Sequence, residues 1–330
     1  MTVPVTVLMS VYNGQRYLKE SISSVLNQSF REFEFIIIND GSTDHSENII
    51  KKFCILDNRI HFIQKTNTGL TQSLNKGIEM AKGEWIARID ADDICEKKRL
   101  ETQYFYAQSK KSLVLIGSGF VKINHESLQS KIYKYPCEHN QLKELLIKKK
   151  FFYPHSSFFI RSESIKKLNG YRERIKRSQD FDLGLRLSEI GEIACIEEPL
   201  VRIRKHKNQV SHEDNGLRQL VDSHVAFVSY LLRQKKIKDP VSDKSSDDLF
   251  EEFYNFVKED TVLNSFFKFK IFIQEFKYSF LNFNFIRVII LLLKSIHIIY
   301  HYYYFLILTK KSMEMTVLKK WIKKKSLCVE

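Results

Sequence analysis

Three aspartates within four residues, Asp90, Asp92 and Asp93, are the side chains of this sequence best suited to chemistry. Carboxylates this close repel one another, and a hard divalent cation such as Mn²⁺ or Mg²⁺, which takes oxygen ligands, would offset the repulsion. On an extended segment an Asp-x-Asp pattern points both side chains to the same side, so Asp90 and Asp92 could share one metal ion. Aspartates are also common in surface loops and at helix N-caps, and this segment alone does not separate the two interpretations.

Two strands of the predicted sheet end in acidic loops. The mostly apolar run at 86–89 leads into the three aspartates, and the run at 33–38 leads into Asp40. If these strands are parallel, both loops lie at the edge where open α/β sheets bind ligands. A nucleoside diphosphate would fit there, with Asp40 at the base or ribose and a metal at Asp92 bridging the phosphates. Neither GxGxxG nor GxxxxGK[ST] occurs, so metal must replace the glycine-rich phosphate loop.

Strands and helices alternate along the first part of the chain. Strands are predicted at 5–10, 33–38, 60–63 and 86–89, and helices at 16–28, 42–53, 70–81 and 94–108. We expect Ser42 or Thr43 to be the N-cap of the second helix. This alternation is typical of a mostly parallel, doubly wound, Rossmann-like α/β sheet.

Composition restricts the class of protein. The 330 residues carry a net charge of +14 and are 43% hydrophobic, as expected for a globular chain with an anionic partner. Five scattered cysteines without a CxxC pair argue against a disulfide framework or a zinc site and fit a reducing cytosol. The N-terminus has no signal-peptide pattern.

Five motifs, in their order and spacing, resemble the N-terminal half of family 2 glycosyltransferases of the GT-A fold. They are VLMSVYN at 7–13, SVLNQSF at 24–30, IINDGSTD at 37–44, NTGL at 67–70 and DADD at 90–93. The resemblance continues more weakly to about residue 215. It implies a GT-A domain at 1–215, with a nucleotide-sugar half at about 1–95 and an acceptor half at about 96–215. The implied reaction is an inverting, metal-dependent sugar transfer from a nucleotide-sugar, for which we expect a UDP-sugar.

The resemblance also implies roles for single residues. Tyr12 would stack on the nucleotide base, although a core position is the alternative, and Asp40 would accept a hydrogen bond from uracil or ribose. Asp90 and Asp92 would hold the sugar and the metal, Asp92 being the more direct ligand. Asp44 fits the start of a helix better than a ligand position. The residues implied at the donor are Ser10, Tyr12, Asp40, Asn67, Gly69 and Asp90.

Asp180 is the implied general base. Its segment at 178–187 alternates like a strand, but we predict a helix because its leucines also fit helical spacing and the family has a helix there. Family members carry Glu-Asp where this chain has Gln179-Asp180. A positioned carboxylate would take the proton of the acceptor hydroxyl as it attacks the anomeric carbon. Asp182 is the rival candidate.

Two histidines have open roles. His206 lies in a segment resembling the family's strand that ends in Arg-x-His, where it would complete the metal shell or contact the diphosphate. A solvated histidine between two lysines is the alternative. His155 could reach the cleft or be structural.

Residues 216–330 are predicted to form a basic, helical extension, with helices at 217–234, 249–260 and 262–278. The stretch at 285–308 is long and apolar enough to span a bilayer, but Arg287, Lys294 and His301 fall on one stripe, which favours a helix lying in the interface. Protein packing, oligomerisation and a transmembrane helix are the alternatives. Trp321 and the lysines around it suit an anionic leaflet. We therefore expect a cytoplasmic protein, peripheral on the inner face of the cell membrane.

The expected partners are a nucleotide-sugar, a surface-glycan or lipid-linked saccharide acceptor and an anionic membrane, without nucleic acid. Two other classes remain open. A nucleotide-sugar pyrophosphorylase would need a glycine-rich loop with a basic residue, which 10–20 lack. A non-catalytic glycan- or nucleic-acid-binding module would explain the charge but would not need Asp90, Asp92 and Asp180 together.

Overall fold

The computed structural model describes residues 3–148, 153–206, 217–243, 245–259 and 319–324. The chain divides into two compact units, Met1–Gln209 and Val210–Glu330. The strands of the first unit are β1 (Val5–Val11), β2 (Phe33–Asp40), β3 (Ile60–Lys65), β4 (Trp85–Arg88), β5 (Ile94–Cys95), β6 (Leu113–Ile123), β7 (Gln129–Tyr133), β8 (Phe159–Arg161) and β9 (Glu192–Arg204). Its helices are α1 (Gln15–Leu26), α2 (Ser46–Leu56), α3 (Leu70–Met80), α4 (Arg99–Ala107), α5 (His139–Ile147), α6 (Ser162–Lys167) and α7 (Gln179–Ile190).

The strands form one nine-stranded sheet in the order β3-β2-β1-β4-β8-β6-β9-β5, with β7 paired to β6. β3, β2, β1 and β4 are mutually parallel, which confirms the predicted Rossmann-like half. β8 runs antiparallel to both β4 and β6. Because every residue of β2 and β4 is buried, both strands are mostly apolar rather than alternating. The carboxyl ends of β1, β2 and β4 therefore bring their loops to one edge.

The core between the sheet and its helices is tightly packed at the start of β4. Trp85 stacks on Phe159 of β8 with ring centroids 5.2 Å apart. A Cβ added at Gly83 would collide with the backbone nitrogen of Thr6 and lie 2.6 Å from the carbonyl carbon of Val5. Only glycine therefore fits beside β1 at this position.

Two sequence-based boundaries are wrong for identifiable reasons. α2 begins at Ser46 because Asp44 Oδ1 accepts the backbone N–H of Ser46 at 2.9 Å, whereas the Ser42 hydroxyl is bonded to Asn39. The predicted helix at 94–108 begins only at Arg99. Residues Ile94–Cys95 instead pair with β9, a contact between distant parts of the chain that local propensity cannot reveal.

The second unit contains α8 (Leu217–Gln234) and α9 (Asp247–Glu259), close to the predicted helices. Trp321 is buried, and its ring lies 5.1 Å from that of Phe253 and 5.3 Å from that of Phe256. In the part of the chain that the structure describes, no helix has the length and apolar character needed to cross a bilayer. The predicted helix at 262–278 and the apolar stretch at 285–308 lie outside the described residues.

Candidate active site

The three aspartates after β4 form a turn rather than an extended segment. The backbone N–H of Asp93 donates to the carbonyl oxygen of Asp90 at 3.3 Å. Asp90, Asp92 and Asp93 each offer a carboxylate oxygen, and these oxygens lie within 4.8 Å of one another. The turn therefore adds Asp93 to the pair that the sequence pattern suggested.

Asp90 is held by two residues that sequence reasoning missed. The guanidinium of Arg88, which is almost fully buried, donates to both carboxylate oxygens of Asp90. The Ser156 hydroxyl lies 2.9 Å from Asp90 Oδ2 and 2.5 Å from Asp93 Oδ2, so it links the two acids. An arginine inside a buried strand requires a charged partner, and this requirement was the available signal for Arg88.

Burial and mutual repulsion destabilise the ionised forms of Asp92 and Asp93. Burial, and then the negative charge of Asp90, raise the pKa of Asp92, and the hydrogen bond from His206 offsets part of this effect. Burial raises the pKa of Asp93 well above its usual range, with further contributions from Asp92 and Asp90. A divalent cation would relieve the repulsion and find the oxygen ligands it prefers, so the donor set fits a hard metal ion.

His206 comes to the same turn from the end of β9. Its Nε2 lies 2.8 Å from Asp92 Oδ2, and its side chain is 16% exposed. The interpretation of His206 as a solvated residue is therefore wrong. The structure brings His206 to Asp92, and among the described residues the group that could hold a metal ion consists of Asp90, Asp92 and Asp93.

The residues predicted at the nucleotide lie at the carboxyl ends of β1 and β2 or on the loops that follow β1 and β3. Tyr12 is 56% exposed, so its alternative assignment to the core is wrong. Ser10 is half-buried near the end of β1, and Asn67 is exposed on the loop before α3. Gly69 directly precedes α3 with a φ of 95°, a conformation that favours glycine.

Asp40 is an internal anchor of that loop. The residue is 2% exposed, and its carboxylate accepts hydrogen bonds from Lys65 Nζ at 2.5 Å, Thr68 N at 3.0 Å and Gly69 N at 2.8 Å. Burial alone would raise the pKa of Asp40, but the bonds from Lys65 and Thr68 outweigh it and keep the pKa below its usual value. Its predicted contact with uracil or ribose stays a prediction, and any such contact would use a carboxylate that already has three donors.

The N-terminus of α1 is capped by the loop after β2. Three successive backbone amides that could bind a phosphate donate instead to side chains at 2.9, 2.9 and 3.0 Å. The amides belong to Asn13, Gly14 and Gln15, and the acceptors to Ser42, Ser46 and Asp44. A diphosphate bound at this edge would therefore need its positive counter-charge from groups other than these three amides.

Asp180 lies in the first turn of α7, which confirms the predicted helix there. Its Oδ1 accepts the backbone N–H of Phe181 at 2.8 Å. Burial raises the pKa of Asp180, while Arg88 lowers it and Asp90 raises it further. Asp180 is therefore within electrostatic reach of the Arg88–Asp90 pair, although it lies far from both in the sequence.

The other candidate base, Asp182, is excluded by its surroundings. It is fully buried and accepts hydrogen bonds from Arg186 Nε at 2.9 Å and Arg172 Nε at 3.1 Å. His155 is also buried, with Nε2 2.6 Å from the hydroxyl of Tyr171. Burial lowers the pKa of His155 well below its usual range, so it is neutral and structural.

Comparison with known proteins supplies the family. A model described as Glycosyl transferase family 2 matches residues 6–168. The "Uncharacterized glycosyltransferase MJ1057" of Methanocaldococcus jannaschii is 37% identical over 225 residues, which cover 66% of this chain and 74% of that protein.

Two solved structures share the fold. S. aureus TarS 1–349 in complex with UDP-GlcNAc superposes with a TM-score of 0.57 and 16% identity, covering 78% of this chain and 80% of that one. Mannosyltransferase PcManGT from Pyrobaculum calidifontis, in complex with GDP-Man and Mn²⁺, gives a TM-score of 0.51 and 15% identity over 78% of this chain and 70% of that one. With the GT-A architecture in common and an archaeal relative matched over most of its length, this chain belongs to glycosyltransferase family 2.

Proposed function

We propose that this glycosyltransferase is an inverting, metal-dependent enzyme that moves a sugar from a UDP-sugar to a hydroxyl of a surface-glycan or lipid-linked saccharide. The observation that carries the proposal is the electrostatic proximity of two acidic groups that lie far apart in the sequence. Asp90 lies two residues after the end of β4 and Asp180 lies in the first turn of α7, yet the negative charge of Asp90 raises the pKa of Asp180. A donor site and a base for the acceptor would thus be neighbours.

Asp90 and Asp92 are the proposed metal ligands, with His206 hydrogen-bonded to Asp92. A bound Mn²⁺ or Mg²⁺ would supply positive charge to the departing diphosphate. Asp180 accepts the proton of the acceptor hydroxyl, whose oxygen bonds to the anomeric carbon while the bond from that carbon to the diphosphate oxygen breaks. The raised pKa makes Asp180 a stronger base than an ordinary aspartate. One displacement without a covalent sugar intermediate inverts the anomeric configuration.

UDP is the proposed nucleotide because the TarS structure contains UDP-GlcNAc, while the GDP-Man of PcManGT defines the competing donor class. Tyr12 is exposed and available to stack on a base, and Ser10, Asn67 and Gly69 lie at the same edge of the parallel sheet. With the α1 amides already bonded, the diphosphate depends on the metal.

We further propose that the domains extend over 1–215 and 216–330. We also propose that the chain attaches to the inner face of the cell membrane. Attachment is supported by the basic composition of the C-terminal residues. A lipid-linked acceptor would explain why a cytoplasmic enzyme works at that surface. A liposome flotation assay with and without anionic lipid tests membrane attachment. Recovery of the protein in the unbound fraction with both kinds of liposome would contradict it.

The first test is thermal unfolding of the full chain with UDP, GDP or CMP, each with Mn²⁺ and with EDTA. Stabilisation by UDP only in the presence of Mn²⁺ is the expected result, because a ligand that binds the folded state raises the unfolding temperature. Asp92→Asn should abolish this shift, whereas Glu79→Gln, an exposed change on α3, should keep it. Stabilisation by GDP instead would overturn the UDP assignment, and no response to any nucleotide would overturn the proposed donor site.

A further inference from the structure

Arg204, at the end of β9, fixes the backbone of the acidic turn. Its own N–H donates to Asp93 Oδ1 at 2.9 Å, and its guanidinium Nε donates to the carbonyl oxygen of Asp92 at 2.9 Å. The same guanidinium donates to Glu20 of α1 at 2.6 Å and to Ser127 at 2.9 Å. Arg204 thus ties the turn, α1 and the β6–β7 connection together, and its side chain is fully buried.

The imidazole of His206 needs a separate support, because His206 lies beyond the last residue of β9. Its ring packs against Tyr17 of α1, with ring centroids 5.1 Å apart and planes inclined at 39°. The guanidinium carbon of Arg204 lies 4.4 Å from the centroid of the Tyr17 ring. Tyr17 is therefore a shared platform for both residues that β9 brings to the turn.

The ring of Tyr17 makes these contacts without help from its hydroxyl. Tyr17 is 9% exposed, and among the described residues its buried hydroxyl oxygen has no hydrogen-bond partner. A phenylalanine would therefore keep every contact that the structure gives this side chain. A leucine would remove the aromatic face on which the imidazole and the guanidinium rest.

We propose that Tyr17 is a positioning residue for the metal site: its ring holds the imidazole of His206 against Asp92. His206 Nε2 stays at Asp92 Oδ2 because the ring of Tyr17 restricts where the imidazole can turn. Groups that orient a metal-binding carboxylate contribute to metal affinity without touching the ion. This inference rests on the proposed function for the metal, but the packing of Tyr17 on His206 is independent of it.

The test measures Mn²⁺ affinity by calorimetry on the full chain. Tyr17→Leu should weaken Mn²⁺ binding about 10–100-fold, the usual effect of losing a group that orients a ligand. Tyr17→Phe should restore the affinity, and Tyr104→Leu, which removes a part-buried tyrosine from α4, should leave it unchanged. In a His206→Gln background Tyr17→Leu should cost less Mn²⁺ affinity than it does in the wild type, because the part of its effect that passes through the imidazole is already lost.

A second readout requires no metal. The rate at which diethyl pyrocarbonate modifies His206, followed by mass spectrometry, should rise in Tyr17→Leu and stay at the wild-type value in Tyr17→Phe. Equal Mn²⁺ affinities and equal modification rates in wild type and Tyr17→Leu would overturn the inference. So would additive effects of Tyr17→Leu and His206→Gln.

Failure of the metal proposal gives a different pattern. A wild-type chain that binds no Mn²⁺ would overturn the proposed metal dependence, and the His206 modification rate alone would then decide the role of Tyr17. If Tyr17→Leu does not fold, Tyr17→Met, which fills the space with a flexible apolar chain, replaces it.

Discussion

Asp180 and Asp182 lie two positions apart on α7, and replacing each by asparagine should change stability in opposite directions. Asp182 is enclosed by the guanidinium groups of Arg172 and Arg186. Removing one partner of a buried ion pair costs about 3–5 kcal/mol, because the remaining charge has lost its counter-charge. Arg186 keeps its bonds to the carbonyl oxygens of Leu168 and Gly170, so we expect the lower end, about 3 kcal/mol.

Asp180→Asn should instead stabilise the protein near neutral pH. Burial raises the pKa of Asp180, so the folded state binds this proton more tightly than the unfolded state. Its ionised form therefore lowers stability above the folded pKa, and asparagine removes that penalty. The gain should vanish as the pH falls below the ordinary pKa of an aspartate, where the carboxyl is protonated in both states. Loss of the base should still lower kcat about 10²–10⁴-fold.

Urea unfolding at neutral and at acidic pH, with transfer kinetics on the same samples, measures both effects. For a unit of this size a loss of about 3 kcal/mol corresponds to a fall in Tm of roughly 6–12 °C. Asp182→Asn as stable as wild type would refute the ion-pair argument. Asp180→Asn less stable than wild type at neutral pH, or fully active, would refute the assignment of a desolvated, functional carboxylate.

Three further predictions concern Asp40, Gly83 and the pH dependence of sugar transfer. The pKa of Asp40 lies below its usual value, so the stability that its ionised form contributes is present above the pKa of the unfolded state and is lost as the pH falls through the pKa of the folded state. In Lys65→Met the urea midpoint should therefore fall less on acidification than in the wild type. Midpoints with the same pH dependence in both proteins would contradict this. Gly83→Ala should lower the free energy of unfolding, measured in urea, by about 1–3 kcal/mol because the added Cβ meets the backbone of β1. The control Lys82→Ala, an exposed substitution, should lower it little. Equal urea midpoints for the two variants would show that the added Cβ is accommodated. The fall of kcat/KM on the acidic side of its pH profile should occur above the ordinary pKa of an aspartate, because it reports protonation of Asp180. If Asp180→Asn keeps residual activity with the same acidic fall, another group is responsible for it.

The parallel half of the sheet could be predicted from the sequence because its signals are local. Apolar runs at β1, β2 and β4 are separated by amphipathic helices, and each run ends at the turn residues that the structure shows. α8 could also be predicted from its helical spacing, since its predicted limits, Leu217–Gln234, are those observed.

The remaining features depend on contacts between distant residues. Ile94 pairs with Arg202 in β9, so a segment with helical character becomes a strand. The participation of Asp93 depends on a turn, and the anchoring of Asp90 depends on Ser156, which comes from the segment before β8. The enclosure of Asp182 by two arginines is equally invisible in the alternating pattern around it. Sequence spacing identified the acidic residues but not the neighbours that distinguish their roles.

The antiparallel strand β8 has a consequence for biosynthesis. During translation β1 to β4 leave the ribosome first, and β4 then presents an unpaired edge until Phe159–Arg161 has been made. Such an edge can pair with another nascent chain and so favours aggregation. The same delay leaves Arg88 and Asp90 without Ser156. We therefore expect that residues 1–95 would not fold as an autonomous module, because the strand that pairs with the open edge of β4 lies at 159–161.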